Sequence, residues 1–317
     1  MSEPQLHAEV SGLLAYVAEL KLPPLTSQSA QDTRAMVHSL STNFETSDIF
    51  SVENMDIPSA DSQRLIPMRV YRPVADETLP VVMFYHGGGW VVCDLDTHEE
   101  VARRLSLQAN CVVCSVDYRL APEHPFPAGC DDAYDALCWV ADHAEQLNVD
   151  VTRLAVAGDS AGGNLAAATC LRARNEKGPS ICHQSLWYPV TNIHTLDTPS
   201  YFDMSEGYNL KRGEMQWFKE HYFDDQALSS EAYASPLLCD DLTDLPPAYI
   251  MTAHFDVLRD DGAQYAEALE QAGNQVVYEC FDSLVHGFMN LAPQLPVASQ
   301  AFEQVTVAVR EALWGKA

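Results

Sequence analysis

Continuous runs of apolar residues alternate with helical stretches along most of the chain. The apolar runs cover residues 79–88, 109–118, 152–160, 183–189, 247–256 and 274–282. Polar residues do not occur at every second position of these runs, which is typical of strands that are covered on both faces. The helical stretches lie at 128–147, 164–174, 261–273 and 298–313. This alternation predicts an α/β fold with a sheet of mostly parallel strands.

Two parts of the chain depart from the alternation. A helix is predicted over 4–20, followed by a break that contains two prolines at 21–34 and by strand-like runs at 48–58 and 65–73. Residues 191–235 are rich in aromatic and acidic side chains and show no strand pattern, so we expect a helical insertion there. Together with the N-terminal helix, this insertion would cover the functional edge of the sheet.

The predicted organisation is a single α/β core interrupted by covering segments. The divisions are an N-terminal cap segment at 1–45, a first core part at 46–190, a cap insertion at 191–235 and a second core part at 236–317.

Charge and composition narrow the class of partner. The 317 residues carry a formal net charge of −27, which repels nucleic-acid phosphates and anionic lipid headgroups and favours small-molecule or neutral partners.

No run of about 18 apolar residues occurs, so no membrane span is expected. The N-terminus lacks a basic segment followed by an apolar one, so no secretory signal is expected. Nine cysteines without a disulfide framework predict a reducing, cytoplasmic location.

Cys111 and Cys114 have the spacing of a Cys-x-x-Cys motif, which occurs in redox and zinc sites. They fall within a predicted strand, where positions three apart point to opposite faces of the sheet. We therefore expect two buried apolar thiols rather than a bridge or a shared metal ion.

One hydroxyl group is surrounded by very small residues in the stretch GDSAGG, residues 158–163. Ser160 lies between a predicted strand and an alanine-rich helix, in the pattern Gly158-x-Ser160-x-Gly162. In such a turn the serine has a strained backbone, and side chains at the glycine positions would collide with neighbouring segments. The N-terminus of the following helix favours developing negative charge. This context predicts a nucleophile rather than a flexible linker.

A serine nucleophile requires a base and an orienting acid, which follow it in the order acid, then base, in this type of turn. His286 is the candidate base because it lies in the loop after the last strand. Asp256 ends the preceding strand and is the preferred acid, with Asp260 and Asp282 as alternatives. Asp159 adjoins the nucleophile, and we expect it to hold the turn or the neighbouring loop.

An oxyanion hole requires two or three backbone N–H groups. Ala161 follows the nucleophile and is expected to supply one, and the His-Gly-Gly-Gly stretch at 86–89 is expected to supply the others. That stretch lacks the Gly-Lys-Ser/Thr of a phosphate loop and the spacing of a dinucleotide fingerprint. The His-Glu pair at His98 lacks the second histidine of a His-Glu-x-x-His zinc motif. No metal and no cofactor are therefore expected.

Six segments of the chain resemble, in order, the motifs of the bacterial hormone-sensitive lipase-like esterases, the GDSAG branch of the α/β-hydrolase superfamily. They are YHGGGW, DYRLAPEHPFPA, GDSAGGN, SPLL, LPPAYIMTAHFDVLRDDG and HGF. The resemblance implies an α/β-hydrolase fold with a helical cap formed by the N-terminal segment and the insertion. The site residues that it implies are Ser160, Asp256 and His286 as a catalytic triad, and Gly88, Gly89 and Ala161 as an oxyanion hole. In the acid loop the family usually has Gly and then Asp-Pro, whereas this chain has His254 and then Asp256-Val257.

The predicted activity is the hydrolysis of carboxylic esters, and the resemblance implies acyl chains of short to medium length. Trp90, Tyr188 and Phe288 are candidates to line the substrate pocket. An amide hydrolase of the arylacetamide deacetylase type stays open because it uses the same triad. A non-catalytic small-molecule receptor on the same fold is disfavoured by the presence of His286. The resemblance also suggests a homodimer.

Overall fold

One eight-stranded sheet organises the part of the chain that the computed structural model describes, residues 4–42, 45–60 and 63–315. The strands are β1 (Ser51–Pro58), β2 (Leu65–Arg72), β3 (Leu79–Tyr85), β4 (Val112–Val116), β5 (Val149–Asp159), β6 (His183–Trp187), β7 (Ala248–Phe255) and β8 (Val276–Val285). Their order is β1-β2-β4-β3-β5-β6-β7-β8. Strand β2 is antiparallel to both neighbours and all other pairs are parallel, so the predicted sheet is confirmed.

Helices cover both faces of the sheet. They are α1 (Ala8–Glu19), α2 (Ala30–Ser41), α3 (Glu99–Ala109), α4 (Ala128–Asp142), α5 (Ala144–Leu147), α6 (Ala161–Glu176), α7 (Pro199–Asp203), α8 (Arg212–Tyr222), α9 (Arg259–Gln271), α10 (Phe288–Leu291) and α11 (Pro296–Trp314). Helices α4, α6 and α9 bury apolar side chains on one face, and α1, α3 and α11 do so on the other. None of the helices in the described ranges is long and apolar enough to cross a membrane.

The two thiols of the Cys-x-x-Cys pattern point to opposite sides of the sheet. Cys114 belongs to the apolar core on the α4–α6 side, and Cys111 belongs to the core on the α3–α11 side. Both are buried and free. The prediction of two separate buried thiols is therefore confirmed.

The largest difference from the sequence-based expectation lies near the N-terminus. The predicted break at 21–34 ends early, because α2 begins at Ala30 inside it. The Ser29 side chain accepts a hydrogen bond from the Asp32 N–H and caps the helix, a local signal that outweighs the preceding prolines. Residues 191–235 are helical where they are regular, with α7 and α8, as expected.

Asp261 in the first turn of α9 is buried, although an aspartate is rarely buried without partners. One of its carboxylate oxygens accepts hydrogen bonds from the N–H groups of Thr191 and Asn192, at 3.1 and 3.2 Å. These contacts fix the start of the insertion to the core. Burial raises the pKa of Asp261 to about 8, so the group is mainly protonated at neutral pH.

Replacing Asp261 by Asn should flatten the pH dependence of stability. Because the folded pKa is raised, the folded protein retains a proton that the unfolded chain has lost, and the wild type loses stability as the pH rises from about 4 to about 8. An amide keeps the acceptor oxygen and has no such loss. We expect the difference in the free energy of unfolding between about pH 5 and about pH 9 to be smaller in Asp261→Asn than in the wild type. Urea denaturation measures it, with the exposed Asp240→Asn as control; equal pH profiles in all three proteins would contradict the assignment.

Candidate active site

Ser160 sits in a tight turn between β5 and α6. Its backbone has φ 56° and ψ −118°, an unfavourable conformation for a residue with a side chain. A Cβ atom on Gly162 would lie 1.9 Å from the Tyr85 carbonyl oxygen, and one on Gly158 would lie 2.3 Å from the Gly162 carbonyl oxygen. Small residues are therefore required because β3, β5 and α6 approach each other with no room for side chains.

The three residues predicted as a triad come together at the carboxyl ends of the strands. His286 Nε2 lies 3.0 Å from Ser160 Oγ, and His286 Nδ1 lies 2.7 Å from Asp256 Oδ2. All three side chains are buried. The other oxygen of Asp256 accepts a hydrogen bond from the Leu258 N–H at 2.9 Å, which fixes the carboxylate. The arrangement can move a proton from the serine hydroxyl to the imidazole.

His286 is hydrogen-bonded to Asp256 and not to either alternative acid. Asp260 lies 2.8 Å from Arg259 Nε and accepts a hydrogen bond from the Ser200 N–H. Asp282 is exposed in β8. Asp256 is therefore the acid that the structure pairs with His286.

The glycine-rich loop lies against the nucleophile. Gly88 and Gly89 line the same cavity as Ser160, and both have positive φ values, 109° and 58°. A Cβ atom on Gly88 would lie 2.2 Å from the Val92 carbonyl oxygen, and a Cβ atom on Gly89 would lie 2.2 Å from the Phe218 ring. Ala161 is the first residue of α6, where N–H groups have no partner within the helix. These placements fit an oxyanion hole.

Asp159 connects the nucleophile turn to the glycine-rich loop. Its carboxylate accepts a hydrogen bond from the Gly87 N–H at 2.8 Å and lies 3.2 Å from His98 Nε2. Asn290 Nδ2 lies 3.4 Å from the second oxygen. Burial alone raises the pKa of the Asp159 carboxyl, but His98 and the Gly87 N–H outweigh it and hold the pKa below its ordinary value. The side chain thus holds the neighbouring loop, as expected.

The cavity above Ser160 has a volume of about 170 Å³ and a largely apolar wall. Its apolar side chains are Val190, Leu210, Met215 and Phe218. The last two belong to α8, so the insertion covers the nucleophile. His98, Asn209 and Asn290 add polar groups. The pattern of apolar runs does not reveal any of these side chains, because only the tertiary packing brings them to the serine.

The three aromatic residues expected in the pocket do not line this cavity, and this prediction is corrected. Trp90 is fully buried and stacks on Tyr222 at a centroid distance of 4.2 Å. The Tyr188 ring packs edge-on against the His286 ring at 4.7 Å, and Phe288 packs against Tyr188 at 5.4 Å. Both rings are fully buried, so Tyr188 packs against the imidazole and Phe288 packs against Tyr188 within the core.

Comparison with known proteins agrees with this fold. The profile of a family described as alpha/beta hydrolase fold matches residues 82–290. The chain belongs to this family. Carboxylesterase NlhH of Mycobacterium tuberculosis is 45% identical over 252 residues, which are 78% of this chain and 79% of the relative. An arylesterase of Saccharolobus solfataricus is 32% identical over 308 residues, 96% of each chain.

Solved esterase structures superpose on nearly the whole chain. The thermostable carboxylesterase EstE1, cloned from a metagenomic library, has a TM-score of 0.87 and 40% identity, covering 90% of this chain and 98% of its own. A thermostable esterase from Pseudomonas putida has a TM-score of 0.93 and 35% identity, covering 99% of both chains. The likeness therefore includes the sheet, its flanking helices and the insertion.

Replacing Asp159 by Asn should slow the reaction of Ser160 without unfolding the protein. The amide oxygen still accepts from Gly87, but the charge opposite His98 is lost and the loop is held less firmly. Since losing one oxyanion donor costs on the order of 10²–10³ in rate, we expect labelling of Ser160 by a fluorophosphonate to slow by roughly tenfold. Asp117→Asn, which removes a half-buried acid directly after β4, serves as control. Equal labelling rates in the wild type and Asp159→Asn would contradict the role of Asp159.

Proposed function

We propose that this protein is a serine hydrolase of carboxylic esters and that Ser160, His286 and Asp256 are its catalytic triad. The single observation that carries the proposal is the continuous chain of contacts from Ser160 Oγ through the imidazole to a fully buried carboxylate. Esterase relatives and esterase structures support the ester as the substrate class.

The first step is attack of Ser160 Oγ on the ester carbonyl carbon. His286 Nε2 accepts the hydroxyl proton, and Asp256 keeps the ring in the tautomer that presents this nitrogen and stabilises the resulting imidazolium. The Tyr188 edge behind the ring limits its rotation. The product of this step is a tetrahedral oxyanion bonded to Ser160.

The N–H groups of Gly88, Gly89 and Ala161 stabilise that oxyanion in our proposal. They are backbone donors that the fold holds in place, so little reorganisation is needed as the charge develops. Asp159 positions this loop through Gly87. It acts as a positioning residue because its carboxylate contacts the loop.

The tetrahedral intermediate collapses when His286 returns its proton to the leaving alkoxide. The C–O bond to the alcohol breaks and an acyl group remains on Ser160. A water molecule then attacks the acyl carbon while His286 takes its proton, and the return of that proton to Ser160 Oγ releases the carboxylic acid. Each cycle consumes one ester and one water and yields one alcohol and one acid.

The acyl group is expected to be short to medium in length. The apolar part of the wall suits an alkyl chain, and a cavity of about 170 Å³ restricts its size. A receptor without catalysis would not require the His286–Ser160 contact. An amide substrate would use the same groups, so substrate comparison decides between ester and amide.

The compartment and the assembly are also part of the proposal. All nine cysteines are free thiols, a state that a reducing cytoplasm maintains. The homodimer stays a prediction, and light scattering at several protein concentrations tests it.

Replacing Ser160 by Ala should abolish most of the activity. Without the nucleophile we expect kcat for a short p-nitrophenyl ester to fall by roughly 10³-fold or more, with unchanged thermal unfolding. Hydrolysis of matched esters and amides by the wild type identifies the substrate class. Retention of most ester hydrolysis by Ser160→Ala would contradict the proposal, and faster cleavage of the matched amide would replace the ester with an amide substrate.

Shortening Phe218 should shift the acyl preference towards longer chains. The ring lines the cavity next to Gly89, so Phe218→Ala removes a wall without touching the triad. We expect the ratio of kcat/KM for an octanoyl ester over a butyryl ester to rise by roughly fivefold or more, since each buried methylene contributes about 0.8 kcal/mol. The exposed Phe202→Ala in the same insertion is the matched control. An unchanged ratio would place the acyl chain elsewhere.

A further inference from the structure

A cluster of potential metal ligands lies at the edge of the sheet and outside the cavity above Ser160. His254 in β7 and Cys280 and Asp282 in β8 place one ligand atom each within 4.8 Å of one another. His254 and Cys280 are partly exposed, and Asp282 is exposed. An ion can therefore reach the cluster from solvent.

The pairing of the two strands explains why these side chains meet. Thr252 pairs with Cys280 in parallel register, and a register shift follows at His254. Since side chains two positions apart on a strand share a face, His254 extends from the face that also carries Cys280 and Asp282. The spacing within each strand gives no metal motif, because the ligands come from two strands separated by α9.

We propose that His254, Cys280 and Asp282 form a Zn²⁺ site. Imidazole nitrogen, thiolate sulfur and carboxylate oxygen are the usual zinc ligands, with bond lengths of about 2.0–2.3 Å that place ligand atoms roughly 3.5 Å apart. The three ligand atoms of the cluster lie within 4.8 Å of one another, so they must move closer together when the ion binds. The sulfur ligand disfavours Mg²⁺ and Ca²⁺, which prefer oxygen. Three protein ligands leave a fourth position for water.

The charges around the cluster are compatible with a divalent cation. A thiolate at Cys280 and a carboxylate at Asp282 balance the two positive charges. The nearby cation, Arg259, is already paired with Asp260, with Nε 2.8 Å from the carboxylate oxygen. The overall net charge of −27 favours the approach of cations to the protein.

The site bridges the two segments that carry the proposed acid and base. His254 lies two residues before Asp256, and Asp282 lies four residues before His286. Binding should raise the unfolding temperature, because the ion binds the folded arrangement and not the unfolded chain. Neither the binding of the ion nor this rise in unfolding temperature depends on the proposed function.

Co²⁺ binding to the metal-free full-length protein tests the site directly. We expect one equivalent of Co²⁺ to produce a thiolate-to-cobalt absorption band that Zn²⁺ abolishes by displacement. The band should disappear in Cys280→Ser, and the affinity should fall by roughly tenfold or more in His254→Asn. Zn²⁺ should raise the unfolding temperature of the wild type and leave that of Cys280→Ser unchanged.

Two matched variants control for other ligands. Cys239→Ser removes a different partly exposed thiol, and His38→Asn disrupts a second cluster formed with Asp94 and Asp96. Both should bind Co²⁺ with the wild-type spectrum. Absence of the thiolate band, or a band that survives Cys280→Ser, would overturn the proposal. The spectra and unfolding temperatures do not require ester hydrolysis, so failure of the metal site and failure of the proposed activity remain distinguishable.

Discussion

The close approach of three backbone segments around Ser160 is the constraint on which the rest of the structure depends. The Tyr85 carbonyl at the end of β3 lies where a Cβ atom of Gly162 would be, and Gly158 is similarly closed by the start of α6. This close approach fixes the strained backbone of Ser160 and places its hydroxyl at the carboxyl ends of the strands. The strand order then brings Asp256 from β7 and His286 from the loop after β8 to the same edge.

The buried carboxylate of Asp159 links this turn to the glycine-rich loop. Asp159 precedes the nucleophile on β5, yet its carboxylate binds the loop after β3 through Gly87 and lies against His98. A buried carboxylate without such partners would be costly, so the contacts stabilise the loop and the charge together. The turn and the proposed oxyanion hole therefore form one connected unit.

Much of the fold follows from local patterns, and the chemistry follows from motif order. Continuous apolar runs predicted the parallel strands, and the positions of Ser160, Asp256 and His286 relative to those runs predicted their meeting. The side chains that line the cavity could not be predicted from the sequence. Trp90, Tyr188 and Phe288 are aromatic, as Phe218 is, and only tertiary packing decides which of these rings reaches the cavity. Likewise, His254 and Cys280 are neighbours because strand register places them together, which spacing along the chain cannot show.

The most direct test of Ser160 as the nucleophile is the capture of the acyl intermediate. The protein is mixed with an excess of p-nitrophenyl butyrate, quenched with acid during turnover and digested for mass spectrometry. We expect a butyryl group on the peptide that contains Ser160. An adduct on another residue, or release of p-nitrophenol by Ser160→Ala at the wild-type rate, would contradict the proposed nucleophile.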